Sequence, residues 1–268
     1  MSGDSSGNGW TVVTGASSGI GLAFARELAR RGHRVLAVAR RRDRLETLAR
    51  ESVERGGSIV PLAADLRTGE GLALVIERMA SLGTIDLPVN NAGVATFGDF
   101  QNSSLEQEME AIRLNLHAVV TLTHAVLGEM RQRRKGAIIN VASVVAFQPF
   151  PHFAVYATGK AFVLSFSEAL AEELKHSGVR ILAQCPGAAK TEMSVFSHNE
   201  GLLGKLPSLS ADEIVRSALR ALESGCVVRV VGWLNGMMVF LNRFLPRSVV
   251  RWMMGVGAKP PSQPSALR

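Results

Sequence analysis

The sequence predicts a doubly wound α/β fold: a parallel seven-stranded sheet with helices on both faces. Two features carry that prediction. Short β-branched or apolar runs alternate with longer amphipathic stretches from end to end, the pattern of strands covered on both sides by helices. The first run is followed at once by a glycine-rich turn that opens into a helix, the junction at which such sheets receive phosphate groups.

The elements follow in order. Residues 10–13 form the first strand, and the glycine turn leads into a helix over 19–31. A strand at 34–39 precedes a helix at 43–54, and a strand at 58–62 precedes a helix at 69–82. Residues 85–90 read as the fourth strand, although Pro88 inside it removes a ladder hydrogen bond. One long helix spans 105–131, then a strand 137–141, a helix 154–177 and a strand 180–184. The helix over 211–223 starts cleanly, because Ser210 with Glu213 three residues on makes a capping box. Residues 227–231 complete the sheet, and no repeat or low-complexity block interrupts the series.

A chain of 268 residues with 47 % hydrophobic side chains can bury one sizeable core. The predicted organisation is a flexible start at 1–9, a dinucleotide-binding catalytic domain at 10–231, and a basic amphipathic extension of that domain at 232–268. Disorder is expected only at the two ends, the second beyond Gly257. The first residues have neither a basic region nor an apolar run, so the expectation is a cytoplasmic protein. No apolar stretch free of charge is long enough to span a bilayer. Cys185 and Cys226 cannot build a cysteine-based zinc site, the histidines lack metal-ligand spacing, and both thiols read as buried.

Net charge is +7, and its placement matters more than its size. From residue 226 onward Arg229, Arg243, Arg247, Arg251, Lys259 and Arg268 meet no acidic residue, while the remainder is nearly balanced, 24 basic against 23 acidic. The sequence pI of about 10.1 therefore belongs to the tail.

Thr14-Gly15-Ala16-Ser17-Ser18-Gly19-Ile20-Gly21 follows the first strand. Glycines let a backbone turn tightly against a pyrophosphate, and the helix start offers unpaired N–H groups and a positive dipole. A glycine turn alone is also found in many ordinary loops. At the end of the second strand an NAD enzyme would place an acid for the ribose hydroxyls. Here Ala39 holds that place, followed by Arg40, Arg41 and Arg42 at the start of a helix, where cations oppose the dipole. The 2′-phosphate of NADP(H) is the natural counter-anion, with Arg40 as first choice for a bidentate grip. A solvated charge run is the alternative.

Tyr156 and Lys160, in Tyr156-Ala157-Thr158-Gly159-Lys160, lie four apart on one helix face. An ammonium beside a phenol favours phenolate, a tuning that suits acid–base work. Tyr156 is the only tyrosine in the chain. Asn90-Asn91-Ala92-Gly93, Ser143 and Pro186-Gly187 likewise fall at predicted strand ends, the ligand-binding edge of open α/β sheets.

In this set of motifs the chain resembles the short-chain dehydrogenase/reductase family, in its single-domain, Rossmann-type form, over nearly all of 10–231. The resemblance extends to reductases of 3-oxoacyl or steroid-type ketones. It implies that Tyr156 protonates the carbonyl oxygen, that Lys160 lowers the Tyr156 pKa and holds the nicotinamide ribose, that Ser143 orients the carbonyl, and that Asn115 supports a proton relay through water. It further implies cofactor contacts from Gly15, Ser17, Ser18, Gly19, Ile20, Gly21, Arg40, Arg41, Asp65, Leu66, Asn91, Ala92, Gly93, Tyr156, Lys160, Pro186, Gly187 and Thr191. No metal is required. Association into a homodimer or homotetramer through the helices around Asn115 and Tyr156 is the implied assembly.

The segment 144–151 is apolar and aromatic, which favours a hydrophobic ketone or alcohol over a sugar or small acid. Residues 192–207, with Gly201 and Gly204, are placed to act as a lid, and His152 as a pocket wall. In the tail, Trp233, Met237, Phe240, Phe244 and Trp252 interleave with arginines, a mixture suited to an anionic membrane surface, an acidic carrier protein or a second subunit. No nucleic-acid motif accompanies the charge. The contrasting function is an NADP-binding sensor or scaffold without catalysis.

Overall fold

A computed structural model describes residues 9–190, 192, 208–258 and, in backbone, 265–267. Thr191 and residues 193–207, which include most of the expected lid, lie outside the described residues.

The chain runs β1 (Trp10–Thr14), α1 (Gly19–Arg30), β2 (Arg34–Ala39), α2 (Arg42–Glu54), β3 (Ser58–Ala63), α3 (Gly69–Leu82) and β4 (Ile85–Asn90). A short β5 (Ala95–Phe97), α4 (Leu105–Ile112), α5 (Ala118–Arg133), β6 (Gly136–Val141), α6 (Ala154–Glu173) and β7 (Val179–Cys185) follow. The chain continues through α7 (Ala211–Glu223), β8 (Val228–Val230), α8 (Trp233–Asn242), α9 (Arg247–Gly257) and β9 (Ser265–Leu267).

Seven strands form one parallel sheet in the order β3-β2-β1-β4-β6-β7-β8. The chain builds outward from β1 to β3, then crosses back to lay β4 on the other side of β1. The crevice between β1 and β4 is therefore the topological switch point, where ligands of such sheets bind.

Alternation along the strands separates two apolar layers. Val13, Val35 and Ala37 pack on one face with Phe24, Leu28, Leu45, Leu48 and Leu219, from α1, α2 and α7. Val12, Leu36 and Val38 face the other way, against Leu72, Val75, Leu122, Val126 and Met130 from α3 and α5. Because successive side chains point to opposite faces, a continuous apolar run is what a strand buried on both sides requires.

The strand expected at 85–90 is present despite Pro88: the proline pairs in register with Val12 of β1, and the ladder to β6 is registered only at Val89 and Asn90, past it. Two expectations change. The long helix predicted over 105–131 is interrupted by a turn of π-helix, Arg113–His117, which contains Asn115. The tail beyond Gly257 is not wholly unstructured, since β9 pairs antiparallel with β5. The expected capping box at Ser210 is present, with the Ser210 hydroxyl accepting from the Glu213 N–H at 3.2 Å.

Candidate active site

The nucleotide end is built from β1, α1 and the end of β4. Gly15 takes a φ of 69°, and a Cβ there would stand 2.8 Å from the Asn91 Nδ2. A Cβ on Gly21 would fall 2.3 Å from the Gly15 carbonyl oxygen, so only glycine lets α1 start this close to the turn. Ser18 caps α1 without a side-chain bond, and no acid occupies the first turn. The leading N–H groups and their dipole thus face the crevice with no carboxylate in the helix's own first turn.

The crevice is a cavity of about 350 Å³. Gly15, Ser17, Ser18, Gly19 and Ile20 line it from the turn, Arg40 and Arg41 from the end of β2. Asp65 and Leu66 line it from the end of β3, and Asn91, Ala92 and Gly93 from β4. The glycine cradle and the two arginines fit a phosphorylated dinucleotide: the backbone can approach a pyrophosphate, and cations stand where an acid would select against a 2′-phosphate. Asp65 is held by Arg67, whose Nε and Nη2 donate to its two oxygens at 2.9 and 2.6 Å. Gly21 packs beneath the turn instead of lining the cavity.

The reacting end lies across β4. Ser143 follows β6, and its hydroxyl donates to the Pro186 carbonyl at 3.4 Å while accepting from the Val145 N–H at 3.3 Å. Tyr156 and Lys160 are buried on α6, with the ammonium 5.8 Å from the phenol ring centre. The Lys160 Nζ donates to the Val141 carbonyl at 2.7 Å. A Cβ on Gly93 would stand 2.9 Å from the Asn115 Oδ1 and 3.7 Å from the Lys160 Nζ. Gly93 is therefore the point at which Asn115, Lys160 and the nucleotide cavity meet. Gly187 stands apart from the cavity and packs on Asn235, with room for no side chain.

One expectation about chemistry is revised. The expected downward shift of Tyr156 is not found: burial pushes its phenol up to about 12, and a hydrogen bond with Ser143 only partly offsets this. An ammonium nearly 6 Å away is too weak to overcome that desolvation. Lys160 itself is pushed down to about 8 by burial. The Asn115 side chain is already committed, donating to the Val94 carbonyl at 2.8 Å and accepting from the Val94 N–H at 3.0 Å. It pins the loop after β4, and the π turn is the distortion that turns it inward.

The family model described as short chain dehydrogenase matches residues 9–200. The chain belongs to the short-chain dehydrogenase family. A family member from Pseudocercospora fijiensis is 39 % identical over 185 residues, 68 % of this chain and 60 % of that protein. The 17-beta-hydroxysteroid dehydrogenase type 3 of Mus musculus is 32 % identical over 246 residues, 89 % of this chain and 77 % of the mouse protein. Among solved structures, a short-chain dehydrogenase from Sphingobium yanoikuyae in complex with NADPH superposes with a TM-score of 0.78. It is 34 % identical and covers 89 % of this chain and 96 % of its own. As a member of the short-chain dehydrogenase family, the protein is an oxidoreductase acting between CH–OH and carbonyl groups.

The sequence did not single out three positioning residues of this family member. The Thr14 hydroxyl accepts from the N–H groups of Asn91 and Ala92, each at 3.0 Å, and donates to the Val89 carbonyl. A lone hydroxyl at the end of an apolar strand was its only signal. Glu192 left none, because Arg41 and Arg44 reach it from a remote segment; Arg67 stands two residues after Asp65, a pairing no motif marks.

Proposed function

We propose that the protein is a ketone reductase that interconverts a hydrophobic ketone and its secondary alcohol, with Tyr156 as general acid and base. The carrying observation is the convergence of Ser143, Tyr156 and Lys160 at strand ends beside the nucleotide cavity. The enzyme uses NADP(H), in agreement with Arg40 and Arg41 at the end of β2 and with the NADPH complex of its solved relative. When bound, the cofactor supplies or removes the hydride.

A phenol raised to about 12 stays protonated at neutral pH, the form that donates to a carbonyl oxygen as it gains charge. Ser143 holds that oxygen by a hydrogen bond. Lys160, anchored on Val141, reaches the ribose side of the site past Gly93. Asn115, whose amide pins the loop after β4 through Val94, supports the proton relay through water. Homodimers or homotetramers would form through α5 and α6.

A hydrophobic substrate is favoured by the buried apolar cluster in which Tyr156 is packed. Phe97 and Phe153 stack there at 4.2 Å, Phe150 meets Phe153 edge-on, and Val250 and Met254 of α9 close the cluster. The relative named for a 17-beta-hydroxysteroid points the same way. The test is NADPH consumption against a panel of steroid ketones, 3-oxoacyl thioesters and ketosugars. Turnover of the first two and not the sugars is expected. Binding of NADPH with no turnover on any of them would favour the sensor or scaffold instead.

The tail supports peripheral contact with an anionic lipid surface. Trp233, Phe244 and Trp252 are 76, 70 and 68 % exposed on α8, α9 and their link, and the arginines between them have no acidic neighbour in the segment. Exposed aromatics grouped with cations mark an interaction surface. Self-pairing would oppose arginine to arginine, whereas anionic headgroups neutralise them as the aromatics sink into the interface. Among the described residues no helix is long and apolar enough to cross a membrane. The protein should float with phosphatidylserine vesicles and not with neutral ones, less so as salt rises. Capture by an acidic carrier protein without flotation would reject the lipid assignment.

A further inference from the structure

The cationic end of the nucleotide cavity already holds an anion of this chain. Glu192 lines that cavity, and its carboxylate is divided between two guanidinium groups. One oxygen accepts from the Arg41 Nη1 at 2.8 Å, the other from Arg44. Arg41 is aimed at the same time by the glycine turn, its Nη2 donating to the hydroxyls of Ser17 and Ser18 at 3.0 and 2.8 Å. The hydrogen bonds from Arg44 and then Arg41 hold the Glu192 carboxyl down at about 2, so it is charged at any working pH.

We propose that Glu192 is an internal stand-in for the 2′-phosphate of NADP(H), occupying Arg41 and Arg44 until the phosphate displaces it. The inference rests on the NADP(H) assignment and adds a specificity-determining residue that opposes the arginines. Two anions cannot share the same pair of guanidinium groups without repulsion, so entry of the phosphorylated cofactor requires the carboxylate to leave. NAD(H) carries no phosphate at that position and leaves the Glu192 pairs undisturbed. Glu192 thus lowers affinity for the phosphorylated cofactor alone and lessens the selectivity that the arginine cluster confers.

The test is a set of equilibrium titrations of the full chain with NADPH, NADH and adenosine 2′,5′-bisphosphate, for wild type, Glu192→Gln and Glu192→Ala. Loss of two half-exposed pairs is expected to tighten NADPH and the bisphosphate by about three- to tenfold, with NADH unchanged. The two variants should agree, because charge and not shape is removed. Raising the salt to about 1 M should shrink the gain, since exposed charges are then screened. Unchanged or weaker NADPH binding in both variants, or an equal gain for NADH, would overturn the proposal. Wild-type protein that binds no NADPH at all would instead overturn the cofactor assignment, an outcome visible before any variant is compared.

Discussion

Tyr156→Phe is expected to lower kcat for ketone reduction by about 10²- to 10⁴-fold, the range for loss of a general acid. The phenol is buried and touches Ser143 through its hydroxyl, so the ring of phenylalanine fills the same space and the fold should persist. NADPH affinity should stay largely intact, since the cradle is made by Gly15, Gly21 and the start of α1. Rapid-mixing kinetics with NADPH and a bulky ketone separate the two quantities. The pH profile supplies a second reading. A phenol at about 12 is protonated across neutral pH, so reduction should be flat there, whereas alcohol oxidation needs phenolate and should climb with pH. Turnover preserved in the phenylalanine variant would remove Tyr156 from the mechanism.

Lys160→Met is expected to separate activity from stability. The variant loses the cation that stands over the Tyr156 ring, and turnover should fall severely. Its melting temperature should nevertheless rise at neutral pH. Burial depresses Lys160 from an ordinary 10.5 to about 8, so the folded state holds a charge that the unfolded chain holds at less cost. That penalty is fully present below about pH 8, is relieved as pH rises, and is gone above about 10.5. The gain should be on the order of 1–3 kcal/mol at pH 7, after allowing for the lost bond to Val141, and should vanish in alkali. Thermal melts of both proteins between neutral pH and pH 10.5 test it. A variant less stable than wild type at pH 7 would mean that the ammonium repays its burial through Val141.

What the sequence disclosed was local. Strand runs, the glycine turn, the Tyr156 and Lys160 spacing and the Ser210 box each depend on neighbours within a few residues, and each sits where the pattern placed it. What it withheld depends on tertiary contact. The π turn at Asn115 exists because its amide reaches Val94, 21 residues away. The Tyr156 phenol shifts upward because elements far apart in the chain, Phe97 and Val250 among them, bury it. Glu192 finds Arg41 across 151 residues, a pairing that no spacing rule could announce.

The fourth strand has a consequence for redesign. On one flank the Asn91 Nδ2 grips the Thr14 carbonyl at 2.9 Å; on the other, the Asn90 Nδ2 holds Asn140 at 2.8 Å and Thr123 at 3.1 Å. Both halves of the reaction centre hang from this one seam, so libraries that vary it will lose cofactor and substrate handling together. Diversity intended to change substrate range belongs on Phe147, Gln148 and Pro149, half-buried residues that line a separate cavity beside α6 and can be recarved without loosening the keystone.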